Sequence, residues 1–212
     1  MTKLRQKTAL SAPHSGLLQV FGYLRTPLLV YGPFALGAPI VIAAITLPIL
    51  TTALYWLSGF ASWSFFEYAV HRWVQHSPRI RRFIRRWDDH AVHHAQADDP
   101  EGFVSSIGET LPIAVVMLGI FVTATPSLSA GLSGMSGFLA GYLVYDWIHC
   151  ASHLPALHEN RPWLARWSIN HLRHHWERAN AYYGFTTSFW DRLLGTYPPP
   201  KSPFPRRTEP QS

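Results

Sequence analysis

The positions of lysine and arginine constrain the fold of this chain more than any other feature. All 18 fall in three blocks, residues 3–25, 72–86 and 161–207, and none lies in residues 26–71 or 87–160. A bilayer crossing takes about 20 apolar residues, so the first of these gaps has room for two helices. Only 14% of the residues are charged, against roughly 25% in soluble domains. These features predict an integral, multi-pass membrane protein.

Four membrane helices are predicted in the two cation-free stretches. They are Leu28–Ile45, Leu47–Trp73, Leu111–Ala124 and Leu128–Ile148. Each pair of crossings returns the chain to the side where it began, so all three basic blocks lie on one side. The known bias of cationic loops indicates that this side is cytoplasmic. A nucleic-acid-binding face would not require such long apolar gaps, so nucleic acid is not an expected partner.

The segment between the second and third crossings is predicted to lie on the membrane surface. Ser77 is a suitable N-cap and Pro78 a suitable first helical residue. An apolar stripe at spacing i, i+3, i+4 and i+7 follows, formed by Ile80, Phe83, Ile84 and Trp87. The arginines lie largely on the other face, as in interfacial helices. One turn beyond Trp87, the same face reaches His90 and His94.

Ten of the twelve histidines fall into four groups. The groups are His71 and His76; His90, His93 and His94; His149 and His153; and His171, His174 and His175. The pattern His-x-x-His-His therefore occurs twice, and its spacing places the rings along one face of a helix. The predicted topology brings all four groups to the cytoplasmic membrane face. Only His14 and His158 stand outside the groups, and both are expected to be ordinary hydrogen-bonded side chains.

Ten imidazoles at one membrane face are interpreted as a binuclear metal site. Imidazole is a ligand for iron, zinc, copper and nickel. Since one ion takes at most about six donors, ten ligands imply two ions with about five nitrogens each. Asp146, one turn before His149, is predicted to orient a ligand ring as a hydrogen-bond acceptor. Glu67, one turn before His71, is the next candidate for this role.

Several functions are compatible with clustered histidines. A hydrolytic zinc site commonly has three protein ligands, and haem needs only one facing pair, so both leave most of the histidines unexplained. A non-catalytic metal store or carrier remains open, but it predicts no enclosed lipid pocket. An iron site that reacts with dioxygen explains both the number of ligands and their position facing the lipid.

The order of these motifs resembles the fatty acid hydroxylase / sterol desaturase superfamily of membrane-bound, histidine-rich di-iron enzymes. The resemblance covers about residues 50–197 and rests on EYAVHRWVQHSP, HAVHH, GYLVYDWIHCASH, NHLRHH and YYGFTTSFWDRLLGTYP. The third motif and the tail are most similar to the fatty acid 2-hydroxylase branch. One departure is AQADDPEGFVSSIGE after the first His-x-x-His-His, which is acidic where related hydroxylases often have a basic, proline-rich segment.

This resemblance implies an all-α integral membrane fold, with about four transmembrane helices and a cytosolic helical cap that holds the dimetal site. The ten grouped histidines would be ligands of two iron ions, for which zinc can substitute in a purified sample. The expected reaction is hydroxylation of a lipid acyl chain at the 2-position, with dioxygen as co-substrate. Desaturation, or hydroxylation of a sterol or carotenoid, is the alternative at the same site. Electrons are expected from a separate ferredoxin- or cytochrome-like protein.

Three regions of the chain are predicted. Residues 1–26 form a basic N-terminal segment, residues 27–197 a single membrane hydroxylase domain, and residues 198–212 a proline-rich tail. Within the tail motif, Trp190 is expected to have a structural role. Asp191 is expected either to pair with an arginine or to hydrogen-bond a ligand ring.

Overall fold

The computed structural model describes residues 15–83, 89–154, 157, 162–201 and 203. Within these residues the regular structure is entirely helical, as the sequence predicts. The α-helices are α1 (Ser15–Tyr23), α2 (Arg25–Gly32), α3 (Ala38–Ile45), α4 (Ile49–Ala69), α5 (Pro78–Phe83), α6 (Asp89–Ala95), α7 (Ile107–Ala124), α8 (Leu128–Ser152), α9 (Pro162–Trp176) and α10 (Phe189–Leu193).

Two π-helical segments extend the membrane-type helices. Pro33–Gly37 joins α2 to α3, and Pro33 fits there because its missing N–H group removes one α-helical hydrogen bond. Val70–Gln75 continues α4 and contains His71, in keeping with the frequent occurrence of π-helical turns at functional sites. The predicted crossings Leu28–Ile45 and Leu47–Trp73 are therefore helical over most of their length.

The other two predicted crossings are also helical, but the third begins earlier and the fourth ends later than predicted. The third begins at Ile107, four residues before the predicted start, because Ser106 and Glu109 form a capping box that begins the helix. The fourth continues four residues beyond Ile148 to Ser152. Two of the described helices, Arg25–Ile45 and Pro100–Ala124, are long and apolar enough to cross a membrane.

Helix α8 is the central element, and it packs most extensively on α4. Small residues allow this close approach. A Cβ added at Gly59 would lie 1.8 Å from the Gly134 carbonyl oxygen, and one at Gly137 would lie 1.9 Å from the Trp56 carbonyl oxygen. Glycines at the crossing therefore bring the two backbones into direct contact.

The shorter helices of the described chain include α1, α5 and α9. Helix α5 begins at Pro78 as predicted, and the Ile80 amide donates to Ser77 Oγ at 3.4 Å. Val20 of α1 and Leu164 of α9 are fully buried in one apolar cluster with Cys150 of α8. Most of the predicted surface stripe and its arginines, together with His14 and His158, lie outside the described side chains.

We expect Gly137→Ala to destabilise the protein, because its methyl group would force α4 and α8 apart. Overpacking of this kind costs about 1–3 kcal/mol, and thermal unfolding of the protein in detergent measures it. Gly119→Ala is the matched control, since nothing lies within 4 Å of its added Cβ. Equal melting temperatures for Gly137→Ala and the control would contradict this account of the crossing.

Candidate metal centre

The ten grouped histidines come together as two sets of five. The first histidine group is His71, His76, His90, His94 and His174, and the second is His93, His149, His153, His171 and His175. Within each group, one ring nitrogen from every histidine lies within 4.8 Å of the others. The chain therefore brings together all the residues that its sequence nominates as metal ligands.

The two His-x-x-His-His motifs divide their members between the groups. His90 and His94 of α6 enter the first group and His93 enters the second, whereas His171 and His175 of α9 enter the second and His174 the first. An i, i+4 pair projects along one line of a helix and the i+3 residue is rotated from that line. Each motif thus supplies two donors to one group and one to the other.

The nitrogen separations in the first group suit a shared metal ion. His90 Nε2 lies 3.2 Å from His71 Nε2, 3.0 Å from His76 Nε2 and 3.1 Å from His94 Nε2. His174 Nε2 lies 3.0 Å from the Nε2 atoms of both His76 and His94. Metal–imidazole bonds of about 2.1 Å at right angles separate two nitrogens by about 3.0 Å, so this donor set fits one ion.

The second group has a similar arrangement. His149 Nε2 lies 3.1 Å from His93 Nε2, and His171 Nε2 lies 2.7 Å from His153 Nε2. Both ring nitrogens of His175 are buried without a hydrogen-bond partner among the described residues. Buried polar atoms are normally satisfied, so a ligand for these nitrogens is needed to complete the site.

Backbone carbonyls fix the orientation of several rings. His71 Nδ1–H donates to the Tyr183 carbonyl at 2.7 Å, and His174 Nδ1–H donates to the Ala181 carbonyl at 2.7 Å. In the second group, His149 Nδ1–H donates to the Phe103 carbonyl at 3.0 Å. A proton on Nδ1 leaves the lone pair of Nε2 free, which is the state required of a metal ligand.

Histidine rings of α6 and α9 are held neutral by their surroundings. Burial, reinforced by the neighbouring imidazoles, holds the pKa of His174 and of His90 well below the usual histidine range. Burial alone lowers the pKa of His93 to about 4. Since metal ligands must be unprotonated, these side chains are ready to bind a cation at neutral pH.

The predicted hydrogen bonds from carboxylates to ligand rings are not found in the structure. Asp146 is fully buried, and the side chain that it engages is Tyr142, one turn before it, rather than a ligand ring. The ring nitrogen of His149, one turn later, is already occupied by the Phe103 carbonyl. Glu67 accepts hydrogen bonds from residues 185 and 186 rather than from His71. Backbone carbonyls fill the role expected of these side chains.

The tail residues have contacts that the sequence left open. Asp191 accepts hydrogen bonds from the amides of Tyr183 and Gly184, and it interacts electrostatically with Arg72. Trp190 has the expected structural role, since its indole N–H donates to Ser64 Oγ of α4 at 3.0 Å. Phe185, which was not predicted individually, packs its ring 4.2 Å from that of His171.

A family model described as "Fatty acid hydroxylase" matches residues 56–196, which include all ten histidines of the two groups. The chain belongs to the fatty acid hydroxylase family. The residues on which the family resemblance rests are therefore the ones that meet at the two histidine groups.

Curated proteins and a solved structure are similar to this hydroxylase-family chain. The dihydroceramide fatty acyl 2-hydroxylase FAH1 of Arabidopsis thaliana is 28% identical over 149 residues, which is 68% of this chain and 61% of that protein. The ceramide very long chain fatty acid hydroxylase SCS7 of Saccharomyces cerevisiae is 30% identical over 153 residues, 68% of this chain and 38% of that protein. The chain thus spans about two fifths to three fifths of these relatives' length.

The solved structure is full-length scs7p, in which only the hydroxylase domain is visible. It has a TM-score of 0.66 and 22% sequence identity, and the match covers 92% of this chain and 68% of that chain. At this identity the similarity shows a shared fold.

Two cavities reach the histidine groups of this family member from different surroundings. The first is mainly apolar and includes His71; its other walls include Tyr31, Trp63, Phe66, Phe138 and Tyr142. The second, of about 450 Å³, has both polar and apolar walls; it is lined by His90, His93 and His149, and also by Asp99, Glu101 and Glu109. Both cavities include Tyr145. The first cavity is the smaller, at about 90 Å³. The first histidine group therefore borders a small apolar cavity, and both groups border a larger one with polar and apolar walls.

We expect His94→Ala and His174→Ala each to lower the metal content of the purified protein. Each substitution removes one of five donors and opens a gap in the first histidine group, so metal is expected to fall from about two ions per chain to about one or fewer. Elemental analysis by mass spectrometry measures the ratio. His14→Ala is the control because His14 stands outside the four sequence groups. Full metal content in either variant would remove that histidine from the ligand set.

Proposed function

We propose that this chain is a membrane-bound di-iron monooxygenase that hydroxylates a lipid acyl chain at the 2-position. The observation that carries the proposal is the pair of five-histidine groups, each with donors within 4.8 Å of one another. The names of relatives that are fatty acyl 2-hydroxylases supply the substrate class and the position. The ten histidines of the two groups are proposed as the ligands.

The donor set supports two iron ions. Neutral imidazoles are suitable ligands for iron, and five donors exceed the three or four usual for zinc, although zinc binds the same nitrogens in competition. Two bound irons would supply the reductive activation of dioxygen that no side chain can perform. In the overall reaction a C–H bond, dioxygen, two electrons and two protons give an alcohol and one water.

The chain's own residues would bind and orient the substrate. The aromatic walls formed by Trp63, Phe66 and Phe138 suit an acyl chain and exclude water from it. His71, in the same cavity, would bring one carbon of that chain close to the first site. The second cavity, which is lined by His93 and His149, would admit the lipid head group, dioxygen and protons. Such a division favours oxidation close to the polar end of the lipid.

The membrane arrangement that we propose has four crossings. These are the α2–α3 helix, α4, α7 and α8, with the two histidine groups and the cap on the cytoplasmic face. Support comes from the absence of lysine and arginine in residues 26–71 and 87–160. Large exposed apolar side chains on these helices, such as Ile40, Ile49 and Val116, suit contact with lipid.

The two electrons are proposed to come from a separate ferredoxin- or cytochrome-like donor. The basic blocks of the sequence all belong to the proposed cytoplasmic side, where they would attract an acidic protein. The same cations would also bind anionic head groups of the inner leaflet.

We expect cells that express the protein to accumulate lipids whose acyl chains carry one added oxygen at the 2-position. Lipid mass spectrometry under ¹⁸O₂ measures the product, because a monooxygenase inserts an oxygen atom from dioxygen. His94→Ala, which lacks a proposed ligand, is the negative control. Loss of two hydrogens would instead indicate a desaturase, an oxidised sterol or carotenoid would change the substrate, and unchanged lipids with metal bound would favour a non-catalytic metal protein.

We also propose that Asp146 is a positioning residue beneath the second histidine group. A buried carboxylate is costly even beside the Tyr142 hydroxyl, and an acid within a membrane helix commonly serves the function. Its place one turn before His149 puts it next to the ligands. We expect Asp146→Asn to lower metal affinity or hydroxylation roughly 10–100-fold. Wild-type values for both would show that Asp146 serves only the folding of α8.

A further inference from the structure

The segment of residues 181–186, here called the acceptor segment, has no regular secondary structure but contacts the first histidine group directly. Its Ala181 carbonyl accepts the Nδ1–H of His174, and its Tyr183 carbonyl accepts the Nδ1–H of His71, both at 2.7 Å. These two rings come from different helices. The position of one short segment therefore sets the orientation of two proposed ligands.

The acceptor segment is held in an unfavourable backbone conformation. Tyr182, between the two accepting carbonyls, has φ of 58°, in the left-handed region that costs a non-glycine residue about 1–2 kcal/mol. Its amide donates to the Thr196 carbonyl at 2.9 Å and its hydroxyl to the Pro198 carbonyl at 2.6 Å. A strained conformation persists only where surrounding contacts enforce it, so the contacts around this segment are needed to keep both carbonyls in place.

Asp191 of α10 holds the middle of the acceptor segment. Its Oδ1 accepts from the Tyr183 amide at 2.8 Å, and its Oδ2 accepts from the Gly184 amide at 2.7 Å. Thr196 Oγ1 also donates to Oδ1 at 2.7 Å. A Cβ at Gly184 would lie 3.0 Å from Oδ2 and 2.3 Å from the Thr187 carbonyl oxygen. The absence of a side chain at this position allows the carboxylate to approach both amides.

Glu67 of α4 holds the end of the same segment. Its Oε1 accepts hydrogen bonds from the amides of Phe185 and Thr186, the latter at 3.1 Å. Its Oε2 accepts from Thr186 Oγ1. Glu67 is almost fully buried and stands one helical turn before His71. The helix that carries His71 is thus tied by a carboxylate to the segment that orients its ring.

We propose that Glu67 and Asp191 are positioning residues for the first metal site, acting through the acceptor segment. Each carboxylate fixes two consecutive backbone amides, and the carbonyl of Tyr183 lies between the two amides that Asp191 fixes. The proposal rests on the dimetal centre of the proposed function, and it adds a role for two acids that touch no histidine ring by a hydrogen bond.

The effect of these carboxylates should be selective for one site. In the second group, His149 donates to the Phe103 carbonyl, and His153 has a backbone hydrogen bond to Ala97. Neither acceptor belongs to the acceptor segment. Displacement of the segment therefore removes hydrogen bonds from proposed ligands of the first site. Those of His149 and His153 remain, and the second group meets the segment through the ring of Phe185, which packs on His171, so the larger loss is expected at the first site.

The two carboxylates allow a graded test. In Asp191→Asn one oxygen becomes an NH₂ group, which cannot accept from a backbone amide, so an anchor of Tyr183 or Gly184 is lost. In Glu67→Gln the remaining oxygen can still accept from both Phe185 and Thr186. Asp191→Asn is therefore expected to have the larger effect.

The experiment uses the full chain in detergent, loaded anaerobically with ferrous iron. We expect Asp191→Asn to weaken iron binding at one site roughly 10–100-fold. At an iron concentration that just fills both wild-type sites, the variant should therefore hold closer to one ion per chain than two. Mössbauer spectra should then show loss of one of the two ferrous environments. Glu67→Gln should show the same change to a smaller extent, and the melting temperature of the metal-free protein reports the purely structural contribution.

Glu177→Gln is the matched control, since this carboxylate accepts from the Lys201 amide, which lies outside the acceptor segment. Two irons and wild-type spectra in Asp191→Asn would overturn the proposal. Equal loss of both irons, with a lower melting temperature for the metal-free protein, would also overturn it, because the role would then be structural. If the wild-type chain itself binds no iron pair, the proposed function fails independently of the two variants.

Discussion

The site depends on imidazoles that are unprotonated and correctly oriented inside an apolar helical scaffold. Burial favours the neutral form of rings such as His90 and His174, and the neighbouring imidazoles oppose a positive charge there. Neutrality does not decide which nitrogen holds the proton. That choice is made where an Nδ1–H meets a fixed carbonyl, as at His71, His149 and His174. Acceptors of the ring protons are therefore as necessary to the site as the ligands themselves.

Carbonyl acceptors have an electrostatic consequence. A carboxylate beside each ring would add negative charge to a region that has little water to solvate it. A carbonyl orients the ring without a net charge. The buried acids Glu67 and Asp191 act one step further out, where backbone amides satisfy their oxygens. The two groups of imidazoles consequently keep most of the positive charge that two metal ions would bring.

The sequence predicts the helices well and singles out the histidines that meet in the two groups, and it predicts poorly which atoms support those histidines. Cation-free apolar stretches identify helices such as Leu128–Ser152 to within a few residues at each end, because apolar composition and length decide such helices. The histidine groups are recognised because their residue type is rare and their spacing is regular. The residue types at positions 103, 181 and 183 do not indicate that these residues orient histidine rings, because they do so through main-chain carbonyls, which every residue has.

Glu67 shows where spacing alone misleads. It stands one turn before His71, but side chains at i and i+4 on a helix run roughly parallel and need not meet at their tips. The carboxylate of Glu67 instead reaches a segment more than 110 residues later, a contact that only tertiary structure defines. The division of each His-x-x-His-His motif between two groups has the same origin.

This division has a consequence for how the site assembles. Because α6 and α9 each contribute to both groups, neither metal site is complete until both helices dock on α4 and α8. The docking of α6 and α9 would therefore be a step that both metal sites share. The carbonyl acceptors of the two groups remain separate, with Ala181 and Tyr183 serving the first and Phe103 the second.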